Sequence, residues 1–183
     1  MTILHIDSSI NGENSASKAI TKAIVDKLSD TNWGEPVIYR DLAANPIPHL
    51  TLDAFAHNLD LEEFLDADTI VIGAPMYNFT LPSQLKAWID RILVAGKTFH
   101  YTANGPEGLI KDKRVIIAVA RGGFYHEGSP AASLEHLESY LRSAFNFIGV
   151  EPQFVAADGL AIGPEQREAS LGAALGETIL LAA

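Results

Sequence analysis

Cysteine is absent from the 183-residue sequence, which removes disulfides, thiolate nucleophiles and cysteine-held metals together. Basic residues are scarce: 13 Lys and Arg stand against 23 Asp and Glu, for a formal charge of -10. Such a field repels phosphate backbones, so no nucleic-acid partner is expected. No apolar run approaches the roughly 20 residues that cross a bilayer. Met1 to His5 carry neither the basic start nor the long apolar run of a signal peptide, so the expectation is a protein with no membrane association, located in the cytoplasm. His5, His49, His57, His100, His126 and His136 show no ligand spacing with a neighbouring carboxylate, and no metal site is expected. The nucleophile-elbow pattern Gly-x-Ser-x-Gly and the dinucleotide fingerprint Gly-x-Gly-x-x-Gly are both missing.

What is present is the composition of an ordinary soluble globule, 48% hydrophobic and 20% charged. At ~150 residues per domain, residues 1–183 make one domain. Ile3, Leu4 and Ile6 form a short apolar run, and Val37 to Tyr39 form another. Thr69 to Ala74 and Val115 to Val119 are β-branched and apolar on both faces, the pattern of strands covered on each side of a parallel sheet. Gln153 to Ala156 is a fifth strand candidate. Between these the period becomes helical, at Ile20, Ala23, Ile24 and Leu28, then at Leu85, Trp88, Ile89 and Ile92. It recurs at Leu134, Leu137, Leu141 and Phe145, and at Leu171, Ala174, Leu175 and Ile179. From Leu42 to Ala67 the spacing is weak and interrupted by Pro46 and Pro48, so only a short helix is expected there. Strands alternating with helices predict an α/β fold with a parallel sheet and helices on both faces.

Such sheets bind ligands beyond the carboxyl ends of their strands, which directs attention to the loops after strands one, three and four. The first runs from Asp7 to Ser17 into a helix and carries Ser8, Ser9, Ser15 and Ser17. Hydroxyls, free amides and a helix N-terminus there suit a phosphate monoester, although serine also caps helices that bind nothing. No Gly-Lys-Ser/Thr closes that loop, so it is not a nucleoside-triphosphate cradle. The second loop places Met76, Tyr77, Asn78 and Phe79 between Pro75 and Pro82. Flat or polarisable side chains around one amide suit a planar heteroaromatic ligand; a core plug is the alternative, and Asn78 would need partners in it. The third, Ala120, Arg121, Gly122 and Gly123, offers backbone amides to a ring edge. Taken alone it also reads as an ordinary Gly-Gly turn, with Arg121 solvated or salt-bridged.

At these loops the chain resembles the FMN-dependent NADH-azoreductase family, also described as FMN-dependent NADH:quinone oxidoreductases. The matching text is Arg40 to Pro48, Ala74 to Phe79, Gly96 to Phe99, Tyr101 to Leu109, Arg121 to Gly123 and Ile162 to Glu165. The resemblance implies a flavodoxin-like fold with five parallel strands in the order 2-1-3-4-5, and a homodimer with one FMN per subunit. By it, Ser9, Ser15, Ala16 and Ser17 hold the phosphate. Met76, Tyr77, Asn78 and Phe79 lie along the isoalloxazine, and Ala120, Arg121, Gly122 and Gly123 sit at its pyrimidine end. NADH gives hydride, and quinones or aromatic azo compounds receive the electrons in a ping-pong cycle. No side chain need act as a catalytic acid or base. Phe99, Tyr101, Phe124 and Tyr125 are candidates for the substrate slot, with core or hairpin packing as the alternative for each.

The chain departs from the family in two places. Only His49 to Ala67 join Pro48 to Asp68, where family members carry a longer segment, and Ala120 stands where they often place a hydroxyl. A flavodoxin-type electron carrier and a binding module without flavin are the rival readings of the same fold.

Overall fold

The computed structural model describes residues 1–31 and 36–182. Among the described residues seven strands form: β1 (Ile3–Asp7), β2 (Val37–Asp41), β3 (Thr69–Pro75), β4 (Phe99–Thr102), β5 (Gly105–Gly108), β6 (Arg114–Ala120) and β7 (Gln153–Ala157). Five α-helices accompany them: α1 (Ala16–Thr31), α2 (Leu59–Asp66), α3 (Ser83–Ile92), α4 (Glu138–Phe147) and α5 (Pro164–Thr178). The main sheet has the order β2-β1-β3-β6-β7, and each of its pairs is parallel. The expected order 2-1-3-4-5 is thereby renumbered, because β4 and β5 intervene in the chain as a separate antiparallel pair.

Successive strand residues point to opposite faces, and both faces are apolar. Ile3, Val71, Ile116, Ala118 and Val155 pack with Ile20, Ile24 and Leu28 of α1 and Ala174 of α5. Leu4, Ile6, Ile70, Ile72, Val115 and Ile117 pack with Leu85, Trp88 and Ile89 of α3 and with Leu141 and Phe145 of α4. Gly73 interrupts β3 for a steric reason, since a Cβ there would lie 2.6 Å from Asp7 Oδ1 and 3.3 Å from Thr21 Cγ2. The missing side chain lets α1 settle close to the sheet and sets where its N-terminus emerges.

The 42–67 segment contains the short helix expected there; its buried residues are Leu61 and Phe64, while Leu52, Phe55 and Leu59 face solvent. Phe64 anchors it edge-on to Trp88, with ring centroids 6.1 Å apart, and Asn58 caps it by accepting from the Leu61 amide at 3.2 Å. Two positions need correction: the helical spacing puts Leu134 and Ile179 on buried stripes, yet both are exposed, because α4 starts only at Glu138 and α5 ends at Thr178. Among the described residues no helix is long and apolar enough to cross a membrane.

Candidate functional site

The strand order reverses direction between β1 and β3, so their carboxyl ends flank the crevice where ligands gather in open α/β sheets. Two hydroxyls fasten the loop after β1 to the β3 side. Ser8 donates to the Gly73 carbonyl at 2.7 Å, and the Tyr77 hydroxyl accepts from the Ile10 amide at 3.1 Å while lying 3.3 Å from Ser9 Oγ. Ser15 caps α1, its Oγ accepting from the Lys18 amide at 3.2 Å. Ser17 is fully buried behind it, with Oγ 3.2 Å from that of Ser15.

After β3 the chain reverses in a two-residue turn. Tyr77 donates its amide to the Thr80 carbonyl at 2.9 Å, and Thr80 returns the bond at 3.2 Å. The two central residues, Asn78 and Phe79, have φ of 49° and 75°, as a type I′ turn requires. Asparagine tolerates that region, whereas a phenylalanine there is strained, a condition that clusters at functional sites. Two bonds to His136 hold the turn: its amide donates to the Phe79 carbonyl at 3.0 Å, and its carbonyl accepts from Thr80 Oγ1 at 3.0 Å. Phe79 is 44% exposed and meets Tyr125 edge-on at 6.3 Å between centroids.

The loop after β6 is laced to the loop after β7. Arg121 donates its amide to the Ala157 carbonyl at 2.9 Å, and the carbonyls of Arg121, Gly122 and Gly123 accept from Leu160, Ala161 and Gly159 at 3.0, 3.0 and 3.1 Å. The amides of Gly122 and Gly123 make no main-chain hydrogen bond among the described residues, so two donors remain for a ligand. A Cβ at Gly123 would meet the Tyr125 ring at 3.3 Å, and one at Gly122 would meet Ala161 Cβ at the same distance.

The Arg121 side chain, 4% exposed, pairs with Asp158 at 3.1 Å, Glu138 at 2.7 Å and Glu135 at 3.4 Å. It is salt-bridged rather than solvated. Burial alone would lower its pKa, but Glu138 and Asp158 outweigh burial and hold the guanidinium above its ordinary value. Glu135 is itself a cap: its carboxylate accepts from the amides of Leu137, Glu138 and Ser139 at 3.0, 2.8 and 3.0 Å. Arg121 therefore ties the loop after β6 to the start of α4 and to the loop after β7.

These loops enclose one cleft of about 230 Å³, lined in part by Ser9, Ser15, Ala16, Met76, Tyr77, Ala120, Arg121 and Gly122. Ser17, Asn78, Phe79 and Gly123 lie off its walls. Ser17 turns inward to Ser15, Asn78 sits exposed at the turn tip, and Phe79 and Gly123 face Tyr125. Sequence reasoning missed Asn11, Asn14, Leu160, Ala161 and Arg167, which with Pro75 complete the lining. The signal for the last three was the same carboxyl-edge rule applied to the fifth strand of the sheet, whose loop leads into α5. Of the expected slot aromatics, Phe99 is buried against Phe147, with centroids 4.5 Å apart, while Tyr101 is 74% exposed on the hairpin. Phe124 lies near His126, with centroids 6.0 Å apart. Among the described residues no group of three His, Asp or Glu is placed to hold a metal ion.

A family model described as a flavodoxin-like fold matches residues 1–179. A relative from Bradyrhizobium diazoefficiens, named FMN-dependent NADH:quinone oxidoreductase 2, is 52% identical over 193 aligned positions covering 96% of each chain. The crystal structure of an azoreductase from Bacillus anthracis str. Sterne superposes with a TM-score of 0.89 at 29% identity, over 100% of this chain and 98% of that one. An FMN-dependent NADH-azoreductase from Bacillus anthracis str. Ames Ancestor, solved in complex with FMN, superposes with a TM-score of 0.85 at 25% identity over 100% of both chains.

Proposed function

The chain belongs to the family of FMN-dependent NADH:quinone oxidoreductases built on the flavodoxin-like fold, and from that membership we propose how this cleft works. The protein is an enzyme that takes two electrons from NADH and passes them to quinones and to aromatic azo compounds, in ping-pong order. The observation that carries this is the continuity of the cleft, with hydroxyls and a helix N-terminus at Ser9 and Ser15 and, at the other end, Gly122, whose amide makes no main-chain hydrogen bond among the described residues. A flavin mononucleotide needs that pairing, an anion cradle at one end and donors for a polar ring edge at the other. When bound, FMN supplies the two-electron relay between a nicotinamide and an acceptor.

The chain's own residues then have defined tasks. Ser9, Ser15 and the first amides of α1 bind the phosphate, and Ser17 supports Ser15 from behind. Met76 and Tyr77 would flank the ring, with the strained Asn78–Phe79 turn next to them outside the cleft wall. Ala120 and the Gly122 amide would hold the pyrimidine end, the amide favouring negative charge there, with the Gly123 amide next to it in the chain. At about 230 Å³, the cleft is smaller than the ~300–1,000 Å³ that encloses a drug-sized ligand. The mouth of the cleft would then stay open to NADH and to the acceptor in turn. Phe79, Phe124 and Tyr125 wall that approach. Phe99 acts through packing, and Tyr101 belongs to a subunit contact.

Anaerobic NADH is expected to bleach the FMN-loaded protein, and menadione to restore the yellow colour. Initial rates at varied NADH and menadione should give parallel double-reciprocal lines. Absence of bleaching would favour a flavodoxin-type carrier, and converging lines would replace ping-pong by a ternary complex.

We also read the enzyme as a cytoplasmic homodimer, a single such domain per chain. The exposed Tyr101 and the exposed apolar residues Leu50, Leu52 and Phe55 support this, because their area is left to an outside partner. Sedimentation velocity should give the mass of two chains, and a monomer throughout the micromolar range would refute it.

A further inference from the structure

Resting on the reading of the cleft as an FMN site, we propose that Arg167 supplies the cation that binds the cofactor phosphate. Two guanidinium groups border the cleft, those of Arg121 and Arg167. Arg121 is already surrounded by Asp158, Glu135 and Glu138, so its charge is neutralised from within the protein. Arg167, in the first turn of α5, donates one hydrogen bond, at 2.7 Å, to the carbonyl of Asn14. It has no carboxylate within ion-pair distance among the described residues. What sets this cation apart from the others without a carboxylate partner is its place: it lines the cleft and is bonded to Asn14, the residue before Ser15, the cap of α1.

The charge arithmetic points the same way. A phosphate monoester carries about 1.5 to 2 negative charges at neutral pH. The dipole of α1 offers about half a positive charge, and serine hydroxyls offer none. One guanidinium brings the sum close to balance. Its fork has five N–H donors in a fixed plane, and the bond to Asn14 uses one while fixing the head at the phosphate end of the cleft. The first loop read alone suggests a phosphate held by dipoles and hydroxyls; the fold brings the missing charge from a residue 153 positions away from Asn14.

The test compares FMN with riboflavin, which lacks the phosphate. The full-length protein is stripped of flavin, and each ligand is titrated by quenching of its fluorescence, for the parent, Arg167→Met and Arg167→Lys. Arg167→Met keeps the aliphatic stem and is expected to weaken FMN about tenfold, as loss of a partly exposed charge-assisted bond would. Riboflavin binding should change less than twofold, and Arg167→Lys should keep most of the preference for FMN. Equal losses for the two ligands in Arg167→Met would assign Arg167 a packing role through Asn14 and overturn the proposal, as would no loss for either. A parent that binds riboflavin as tightly as FMN also overturns it. A parent that binds neither flavin refutes the FMN reading itself, an outcome distinct from any of these.

Discussion

Arg121→Met should melt about 10 °C below the parent at neutral pH. The substitution removes the cation between Asp158, Glu135 and Glu138 while leaving those carboxylates in place. Breaking a buried charge cluster by removing one partner costs about 3–5 kcal/mol, and a chain of this size loses about 2–4 °C per kcal/mol. The pH dependence distinguishes this cause from simple loss of packing. Burial works to raise the pKa of Glu135, but the Glu138 and Ser139 amides and the Arg121 charge outweigh it and hold the carboxyl below its ordinary value. A depressed folded-state pKa stabilises the native state above the ordinary carboxylate range, and that contribution is lost as pH falls through the folded value. The parent should therefore weaken on acidification, whereas the variant, with repelling carboxylates that protonation relieves, should weaken less. The gap in melting temperature is expected to narrow between pH 7 and pH 4. A gap that stays constant over that range would show that the charges of the cluster are not what stabilises it.

Ala120→Phe should purify colourless and bind added FMN at least about 100-fold more weakly than the parent. Ala120 closes β6, lines the cleft, and is held by the Met76 amide donating to its carbonyl at 2.8 Å. A phenyl group there has one open direction, into the space assigned to the flavin ring, because the flanking residues Pro75 and Ala157 belong to paired strands. Steric occupation removes both stacking and access to the Gly122 amide. Far-UV circular dichroism should be unchanged, and NADH–menadione activity should fall with the bound flavin. A variant that retains full yellow colour would move the ring away from Ala120.

The central strands are readable in the sequence because Thr69–Pro75 and Arg114–Ala120 are buried nearly throughout, so continuous apolar text has one structural meaning. The hairpin is not readable in the same way: β5 is Gly-Pro-Glu-Gly, with no β-branched residue and a proline. Its pairing with β4 depends on closure around Thr102, whose hydroxyl donates to the Gly105 carbonyl at 2.8 Å. Ser9, Tyr77 and Gly122 could be named from the loops that follow β1, β3 and β6, since unusual residues there coincide with a topological rule. Leu160, Ala161 and Arg167 follow the fifth strand of the sheet and fall under the same rule, but two apolar loop residues and an arginine in α5 look ordinary until that helix is docked. Ser17 illustrates the converse limit: its place in the chain suggests a ligand contact, while its rotamer directs it to Ser15.

The walls of the cleft draw on residues from Ser9 to Arg167, nearly the whole span of the chain. A nascent polypeptide thus cannot assemble this site piecemeal during synthesis. Its N-terminal strands emerge with their serines in place but without the far wall, and capture of a mononucleotide must wait until α5 has emerged and docked.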